Sequence, residues 1–544
     1  MYYPSTKSTK RSAKSVASFV LFFCAWFRAT PADLAPAEAK QHDWKRDVYL
    51  WLPLACLSWW LAWYFQDRFI TDWDGFDYTT YTVQHRPTAL GLGRALFLGY
   101  NYLLWEAAHR WLGVLPDHAY LVIRYGVIAQ VGPAIIGMYA LCKELTAKRA
   151  AAFLGALLLA ASPYFIAYSG RAMSEIPAFF MLSWALWWML RSLRTGKTAS
   201  FILAACLVGL SANLREFAVF YLPVIPLAAW WYRQSWKLCL TAFALATLCA
   251  LAGMIFWASF DYLYLPAVIT WYGLSAAERR ANPVTVKNFW FLAKFAFHCS
   301  ATMALLSPLA LTWLWSRRPQ RPLFWLGLSG LGANLILLAN HDLAVNPRYL
   351  LTGLLGLAPA CGWCLAELFR WQWKRGTMVA AGLAALTLAT YLHEAKELYQ
   401  HEWAALAAQK YIRKIEGLPW NAGFIVGMRT PLVSFLAGVE ARPFWRVIAP
   451  GAGWPDDKLD QAIQDFFYAG REVYVDFDPE LWQTGEREKS REAAGLAMIK
   501  QCYRLRHIRD DFYQILPPPP RRNIPVQSDF KSAYTKRQTG SGKK

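Results

Sequence analysis

Residues 47–65, DVYLWLPLACLSWWLAWYF, form an apolar run whose one charged residue is the first. A helix needs about 20 such residues to cross the hydrocarbon core of a bilayer. Similar runs recur down the chain, which is 56% hydrophobic and only 17% charged, whereas soluble domains are about 25% charged. The sequence therefore predicts an all-α polytopic membrane protein rather than a series of soluble domains.

About eleven runs are predicted to be transmembrane helices. They are residues 47–65, 120–142, 149–169, 174–193, 199–213, 217–232, 237–258, 294–315, 322–339, 348–368 and 377–393. With the N-terminus inside, every inner connection is basic, for example KELTAKR at 143–149 and SRRPQR at 316–321, as the positive-inside rule requires. Because these loops account for the clustering of the Lys and Arg residues, the net charge of +21 does not indicate nucleic-acid binding.

Residues 90–113 resemble a further span, but counting them as one would invert every later loop and place the basic clusters outside. They also contain Arg94, Glu106, His109 and Arg110, and their apolar residues recur at helical spacing. We therefore predict an amphipathic helix or helix pair on the outer membrane surface.

These features divide the chain into four segments. They are a cytoplasmic or interfacial N-terminal segment (1–46), a transmembrane module (47–393) with a first outer loop (67–119), an extracytoplasmic α/β domain (394–515) and a disordered tail (516–544). Within the first segment, residues 15–27 are interpreted as interfacial, with a cleaved signal or an extra span as the alternative.

The first outer loop contains ITDWDGFDYTTYTVQHRP, residues 70–87, in which Asp72, Asp74 and Asp77 alternate with aromatic residues such as Tyr78. Carboxylates partly desolvated at a membrane boundary can have a raised pKa suited to a general base. The alternative is a solvated loop whose aspartates cap a turn or helix.

Three later outer turns contain arginine. SPYFIAYSGRAMSEIPAF (162–179) holds Arg171 and Glu175, LSANLREF (210–217) holds Arg215, and ANHDLAVNPRYLL (339–351) holds His341, Arg348 and Tyr349. An arginine at a span entrance is costly unless paired, and its forked donors match phosphate oxygens. Convergence of these turns would form a pocket for a diphosphate or phosphodiester. The alternatives are a pair between Arg171 and Glu175 on one helix turn and snorkelling to lipid headgroups.

The order of DWDGFDY, SPYFIAYSGRAMSEIP and NPRYLL resembles that in the membrane-embedded GT-C glycosyltransferases, in particular the protein O-mannosyltransferase and lipid A aminoarabinose-transferase group. The resemblance covers about residues 47–370. It implies an inverting transfer of a sugar from a polyprenyl-phosphate or polyprenyl-diphosphate carrier to an outer acceptor. It also implies that the acceptor is a protein, glycolipid or polysaccharide and that the protein lies in the bacterial inner membrane.

The resemblance also implies roles for individual residues. Asp74 corresponds to the acidic residue of the family, with Asp72 and Asp77 as alternatives, and Gly75 stands where a second acidic residue is common. This departure leaves open which carboxylate is the base and whether a divalent metal is needed. The positions that match those near the carrier phosphate in the family are Arg171, Glu175, Arg348 and Tyr349. Topology alone adds Arg215 as a phosphate-binding residue and His341 as a residue that binds the sugar or acceptor. Glu175 and Tyr78 are further candidates to bind the sugar or acceptor.

Two alternatives from other functional classes remain. A transporter or flippase of lipid-linked glycans would share the basic outer pocket but is expected to carry polar residues in the middle of its spans. A non-catalytic membrane scaffold would keep its function when Asp74 is substituted.

Overall fold

The structure is a computed structural model. It describes residues 47–67, 73–85, 94–114, 118–260, 286–317, 321–335, 347–371, 373–394, 413–419, 422–426, 440–443, 455–477 and 496–517, with the single positions 265, 269 and 398. The predicted interfacial stretch 15–27 and the predicted tail beyond Pro517 lie outside the described residues. The chain forms two compact units, of which the first comprises residues 1–66, 87–100 and 125–398 and the second comprises residues 67–86, 101–124 and 399–544.

Most of the apolar runs in the first unit form helices. The helices, in chain order through both units, are α1 (Val48–Tyr64), α2 (Trp73–Gln84), α3 (Ala95–Leu112), α4 (Ala119–Thr146), α5 (Arg149–Ala160), α6 (Pro163–Ser169), α7 (Glu175–Arg194), α8 (Thr198–Leu210), α9 (Val224–Trp231), α10 (Trp236–Phe260), α11 (Val286–Ser316), α12 (Arg321–Leu335), α13 (Leu351–Trp371), α14 (Trp373–His393) and α15 (Pro455–Tyr468). Short 3₁₀ helices cover Ser211–Asn213, Glu216–Tyr221 and Pro347–Leu350.

Each of the eleven predicted spans coincides with one or two of these helices. Among the described residues, five helices are long and apolar enough to cross a membrane, and the bent pair α5–α6 would make a sixth. Four shorter apolar helices add to them: Val48–Tyr64, Thr198–Asn213, Glu216–Trp231 and Met378–His393. The polytopic helical fold is thus confirmed, while the number of spans stays a prediction.

The predicted span 149–169 is not one straight helix, because α5 and α6 meet at an angle of 65°. Ser162 caps α6 by accepting a hydrogen bond from the amide of Phe165 at 3.3 Å, and Pro163 occupies the first turn. Proline lacks an amide hydrogen and starts a helix readily but does not continue one. Similarly, the backbone of Ser300 interrupts α11 with φ −166° and ψ 96°.

Helix α13 lies at the centre of the first unit, since 94% of its apolar segment is buried. Its Gly362 packs so closely against α5 that an added Cβ would lie 2.5 Å from the amide nitrogen of Gly155. By contrast, only 28% of the apolar segment of α10 is buried, although it is the most hydrophobic of the long helices. An apolar surface of this extent suits contact with lipid.

The helix expected within residues 90–113 is present as α3. It is not among the described helices that are long and apolar enough to cross a membrane. Its position on the membrane surface stays a prediction.

A five-stranded mixed sheet forms the core of the C-terminal part of the second unit. Its strands are β1 (Gly423–Val426), β2 (Glu440–Pro443), β3 (Val473–Asp476), β4 (Arg504–Arg509) and β5 (Phe512–Leu516), in the order β2-β1-β3-β5-β4. Strand β1 pairs in parallel with β2 and β3, whereas β5 pairs antiparallel with β3 and β4. The predicted small α/β fold is confirmed.

Aromatic rings fill the core beside this sheet. The ring centroids of Tyr474, Phe424 and Phe512 form a triangle, with Tyr474 5.6 Å from each phenylalanine and the two phenylalanines 6.1 Å apart. Phe466 of α15 is also buried, and its ring occupies the space that a Cβ on Gly423 would need. Packing of α15 over the central strands therefore builds one continuous hydrophobic core.

Candidate functional site

Three of the predicted residues meet inside the first unit. The Nη2 atom of Arg215 lies 3.2 Å from Oε1 of Glu175, and Nε of Arg348 lies 3.9 Å from the same oxygen. All three residues are buried, with Arg215 completely excluded from solvent. The structure thus brings together all three of the predicted outer turns that carry arginine, since Glu175 belongs to the same turn as Arg171.

The local fold explains this convergence. Glu175 is the first residue of α7, where the helix dipole favours a negative charge. Arg215 lies between two 3₁₀ helices, and Arg348 lies in a third that leads directly into α13. Each of the three charged residues therefore lies where an apolar helix begins or is interrupted, and not in the middle of one.

Tyr221 connects the segment that carries Arg215 to the segment that follows Arg348. Its hydroxyl donates a hydrogen bond to the carbonyl of Thr352 at 2.7 Å and accepts one from the amide of Gly356 at 2.9 Å. Because the tyrosine is fully buried, both bonds form away from water. The segment that carries Arg215 is thereby anchored to the helix that follows Arg348.

A second ion pair extends the cluster. Arg94 donates from Nε and Nη2 to the two carboxylate oxygens of Glu216, at 3.3 and 3.2 Å. Nε of Arg215 lies 4.0 Å from Oε1 of Glu216. The sequence placed Arg94 in an amphipathic helix and did not predict this role. A signal existed, since an arginine within an apolar run usually has a buried partner.

Aromatic rings line the arginines. The guanidinium carbons of Arg215 and Arg348 lie 5.3 and 5.2 Å from the ring centroid of Tyr349. Those of Arg171 and Arg348 lie 4.5 and 6.0 Å from the ring centroid of Tyr168. These cation–π contacts stabilise the buried guanidinium groups through their flat faces, whereas the N–H donors lie in the plane of each group. Arg171 thus joins the cluster through Tyr168, a residue that the sequence did not single out.

The cluster is rich in guanidinium groups. Among the described residues, those of Arg94, Arg171, Arg215 and Arg348 lie around the carboxylates of Glu175 and Glu216, directly or through Tyr168. Burial alone lowers the pKa of Arg215, but the two carboxylates outweigh it and raise the pKa above its usual value, so the residue stays charged. Among the described residues, the three guanidinium nitrogens of Arg215 have no aligned hydrogen-bond acceptor. A buried guanidinium group whose N–H donors lack an aligned acceptor is suited to binding an anion.

Gly170 allows the turn that carries Arg171 to approach α1. A Cβ at this position would lie 2.5 Å from the Cα of Gln66 and 2.7 Å from the carbonyl oxygen of Ala62. Such distances are incompatible with any side chain unless the backbone moves. The glycine in the SGR sequence is therefore required by packing.

The second unit contains the acidic motif of the first outer loop. Asp74 is half-buried in the first turn of α2, and its Oδ2 accepts a hydrogen bond of 3.5 Å from the fully buried Tyr78 hydroxyl one turn later. Asp72, His341 and the side chain of Asp77 lie outside the described residues. The catalytic assignment among the three aspartates therefore stays a prediction.

Residues 114–260 match the model of a family described as dolichyl-phosphate-mannose-protein mannosyltransferase. The match includes Arg171, Glu175 and Arg215 of the buried cluster and covers the chain from the end of α3 to the end of α10. A comparison with curated proteins finds no match.

Solved structures with a similar fold cover most of the chain. ArnT from Cupriavidus metallidurans bound to undecaprenyl phosphate is 14% identical, with a TM-score of 0.58 over 86% of this chain and 97% of that one. Its apo state gives a TM-score of 0.52 at 14% identity, over 87% and 98%. The Archaeoglobus fulgidus oligosaccharyltransferase in complex with Zn and sulfate gives 0.50 at 14% identity, over 79% and 68%.

Proposed function

We propose that this chain is a membrane glycosyltransferase of the GT-C superfamily that transfers a sugar from a polyprenyl-phosphate or polyprenyl-diphosphate carrier, a proposal supported by its fold and its partial family match. The acceptor, a protein, glycolipid or polysaccharide, lies on the extracytoplasmic side. The membrane is the bacterial inner membrane.

The observation that carries this proposal is the meeting of Arg171, Arg215 and Arg348 from separate turns in one buried cluster. Among the described residues, the guanidinium nitrogens of Arg215 have no aligned hydrogen-bond acceptor, and a buried donor without an acceptor is unfavourable, so the cluster favours an anionic ligand. Guanidinium groups bind phosphate through two parallel hydrogen bonds. A carrier phosphate that remains in the bilayer supplies such an anion, and undecaprenyl phosphate is the ligand bound by the similar ArnT structure.

In the proposed reaction, the bond between the sugar anomeric carbon and the carrier phosphate oxygen breaks. The acceptor oxygen or nitrogen forms the new bond at the same carbon from the opposite face, which inverts its configuration. The acceptor proton passes to Asp74, and the electron pair of the broken bond stays on the phosphate. Arg348, Arg215 and Arg171 stabilise the negative charge that develops there.

Glu175 has a positioning role in this proposal. Its carboxylate contacts both Arg215 and Arg348, so it fixes the separation of two groups that would bind the phosphate. The same carboxylate is a candidate to orient the sugar. In both roles it partly neutralises the cluster, so that the carrier can leave after transfer.

The test uses full-length protein in detergent with extracts of lipid-linked sugars as donor and a membrane extract as acceptor. Asp74→Asn and Arg348→Ala are each expected to reduce sugar transfer by about 10²–10³-fold, the cost of removing a general base or a charge-stabilising group. Arg110→Ala is the matched control, because Arg110 is exposed and pairs with Glu106 on the same helix. It should retain the wild-type rate.

Each outcome discriminates between the functional classes. Transfer at the wild-type rate by Asp74→Asn overturns the catalytic assignment. Movement of the carrier across vesicles without consumption of its sugar identifies a flippase. Consumption of no carrier, with no movement either, favours the scaffold.

A further inference from the structure

His298, His393 and Glu394 meet where two packed helices change direction or end. His298 lies two residues before the backbone break at Ser300 in α11, and His393 is the last residue of α14. One helical turn further along α11, the hydroxyl of Thr302 lies 2.7 Å from that of Thr387 in α14. This contact fixes the register that brings the two histidines to the same level.

The three side chains are close enough to share one ion. Oε1 of Glu394 is hydrogen-bonded to Nδ1 of His298 and lies 3.8 Å from Nε2 of His393. One donor atom from each of the three residues lies within 4.8 Å of the other two. Tetrahedral coordination at bond lengths of about 2.0–2.2 Å places ligand atoms about 3.4 Å apart. Small side-chain rotations would therefore bring all three into coordination.

Glu394 is a buried carboxylate whose charge a bound cation would balance. Only 7% of its side chain is exposed, and the residue directly follows the end of α14, where the helix dipole disfavours a negative charge. Among the described residues, its potential cationic partners are the two imidazoles. Neutral imidazoles would leave this carboxylate uncompensated, whereas a divalent ion bound by all three groups would neutralise it.

We propose that these residues form a structural site for a divalent transition metal of the zinc class. Two imidazole nitrogens and one carboxylate are a donor set that zinc favours, and a fourth position remains for water. The ion would hold the end of α14 against α11 at the point where α11 is interrupted. This site includes none of the residues assigned to sugar transfer, so it stands or falls independently of the proposed function.

The experiment uses full-length protein purified without a histidine tag and stripped of metal by a chelator. After dialysis against Zn²⁺ or Co²⁺ and removal of unbound ion, the retained metal is counted by mass spectrometry. The d–d absorption of bound Co²⁺ is recorded in parallel. We expect about one ion per chain, and we expect Zn²⁺ to raise the thermal unfolding temperature because it binds the folded state.

His393→Ala is the main variant, since this histidine is 72% exposed and its truncation is compatible with folding. It should weaken metal binding by more than about 10-fold and abolish both the Co²⁺ absorption and the thermal shift. His109→Ala is the matched control, because His109 is also exposed and lies outside the cluster. It should behave as wild type.

Two results would overturn the proposal. One is wild-type protein that retains no ion. The other is equal metal binding by wild type and His393→Ala, which would leave a hydrogen-bonded pair of His298 and Glu394 beside an uninvolved histidine.

Discussion

Oε1 of Glu175 lies 3.2 Å from Nη2 of Arg215, and both side chains are almost completely excluded from solvent. Two residues separated by 40 positions in the sequence are thus joined in a buried ion pair between the start of α7 and a turn. Because Arg348 and Glu216 contact the same pair, the charges form one network. The meeting of several arginines in this buried network is the basis of the proposed function.

Substitution of Glu175 tests how this network is balanced. Glu175→Gln keeps the shape of the side chain but leaves Arg215 and Arg348 without their shared carboxylate. Removal of one partner of a buried pair costs about 3–5 kcal/mol, so we expect a marked fall in the thermal unfolding temperature of the detergent-solubilised protein.

The control for this prediction is Glu106→Gln, which removes one partner of an exposed pair and should cost less than about 1 kcal/mol. Addition of Arg215→Gln to Glu175→Gln should recover part of the lost stability, since the uncompensated charge is then smaller. Unfolding of Glu175→Gln at the wild-type temperature would show that the carboxylate does not balance the arginines.

Substitution of the three aspartates one at a time tests the choice of base. Asp74→Asn should lower kcat for sugar transfer by about 10²–10³-fold, with little change in the KM for the carrier, because the base acts on the acceptor proton. Asp72→Asn and Asp77→Asn are the matched controls within the same loop. If either of them lowers kcat more than Asp74→Asn does, the base has been assigned to the wrong residue.

Gly170 allows a test of close packing at the turn before Arg171. In Gly170→Ala the new Cβ would collide with the backbone of α1 at Ala62 and Gln66, and such overpacking costs about 1–3 kcal/mol. Gly99→Ala is the control, since nothing lies within 4 Å of its added Cβ and it lies inside α3. Thermal unfolding should show a loss for the first variant and no loss for the second. Equal stability of the two variants would mean that the turn does not need its glycine.

The predicted orientation can be measured at Cys502. This cysteine is exposed and lies in the C-terminal domain, which we place outside the membrane. A membrane-impermeant maleimide should therefore label wild-type protein in cells with a permeabilised outer membrane, and Cys502→Ser should reduce that labelling. Labelling of Cys502 only after the inner membrane is lysed would reverse the topology.

Helices and part of the sheet could be predicted because their signals are local. Apolar runs and basic loops located the helices, and the short apolar runs AGFIVGM (422–428) and EVYVDF (472–477), which favour strands, contain β1 and β3. The bend between α5 and α6 was missed. Ser162 and Pro163 are typical of a helix start, but residues 149–169 are predominantly apolar and were therefore interpreted as one span. The β4–β5 hairpin, RLRHIRDDFYQIL, was also missed because its first strand, RLRHIR, is rich in charge.

The sequence singled out four residues of the buried cluster, namely Arg171, Glu175, Arg215 and Arg348, but it did not predict how they pair. An arginine at a span entrance indicates a buried partner without identifying it. The pairs between Arg94 and Glu216 and between Arg215 and Glu175 depend on the packing of distant helices, and the sequence offered Arg171 as the partner of Glu175 instead. His298, His393 and Glu394 likewise come together only through the register of α11 and α14.

The most direct test of the central claim is the stoichiometry of transfer. Purified protein is given a polyprenyl-phosphate carrier with a radiolabelled sugar, and released carrier and labelled acceptor are counted in the same reaction. The account predicts one free polyprenyl phosphate for each sugar added to the acceptor, and neither product with Asp74→Asn. Loss of the labelled carrier from one leaflet without formation of either product would contradict it.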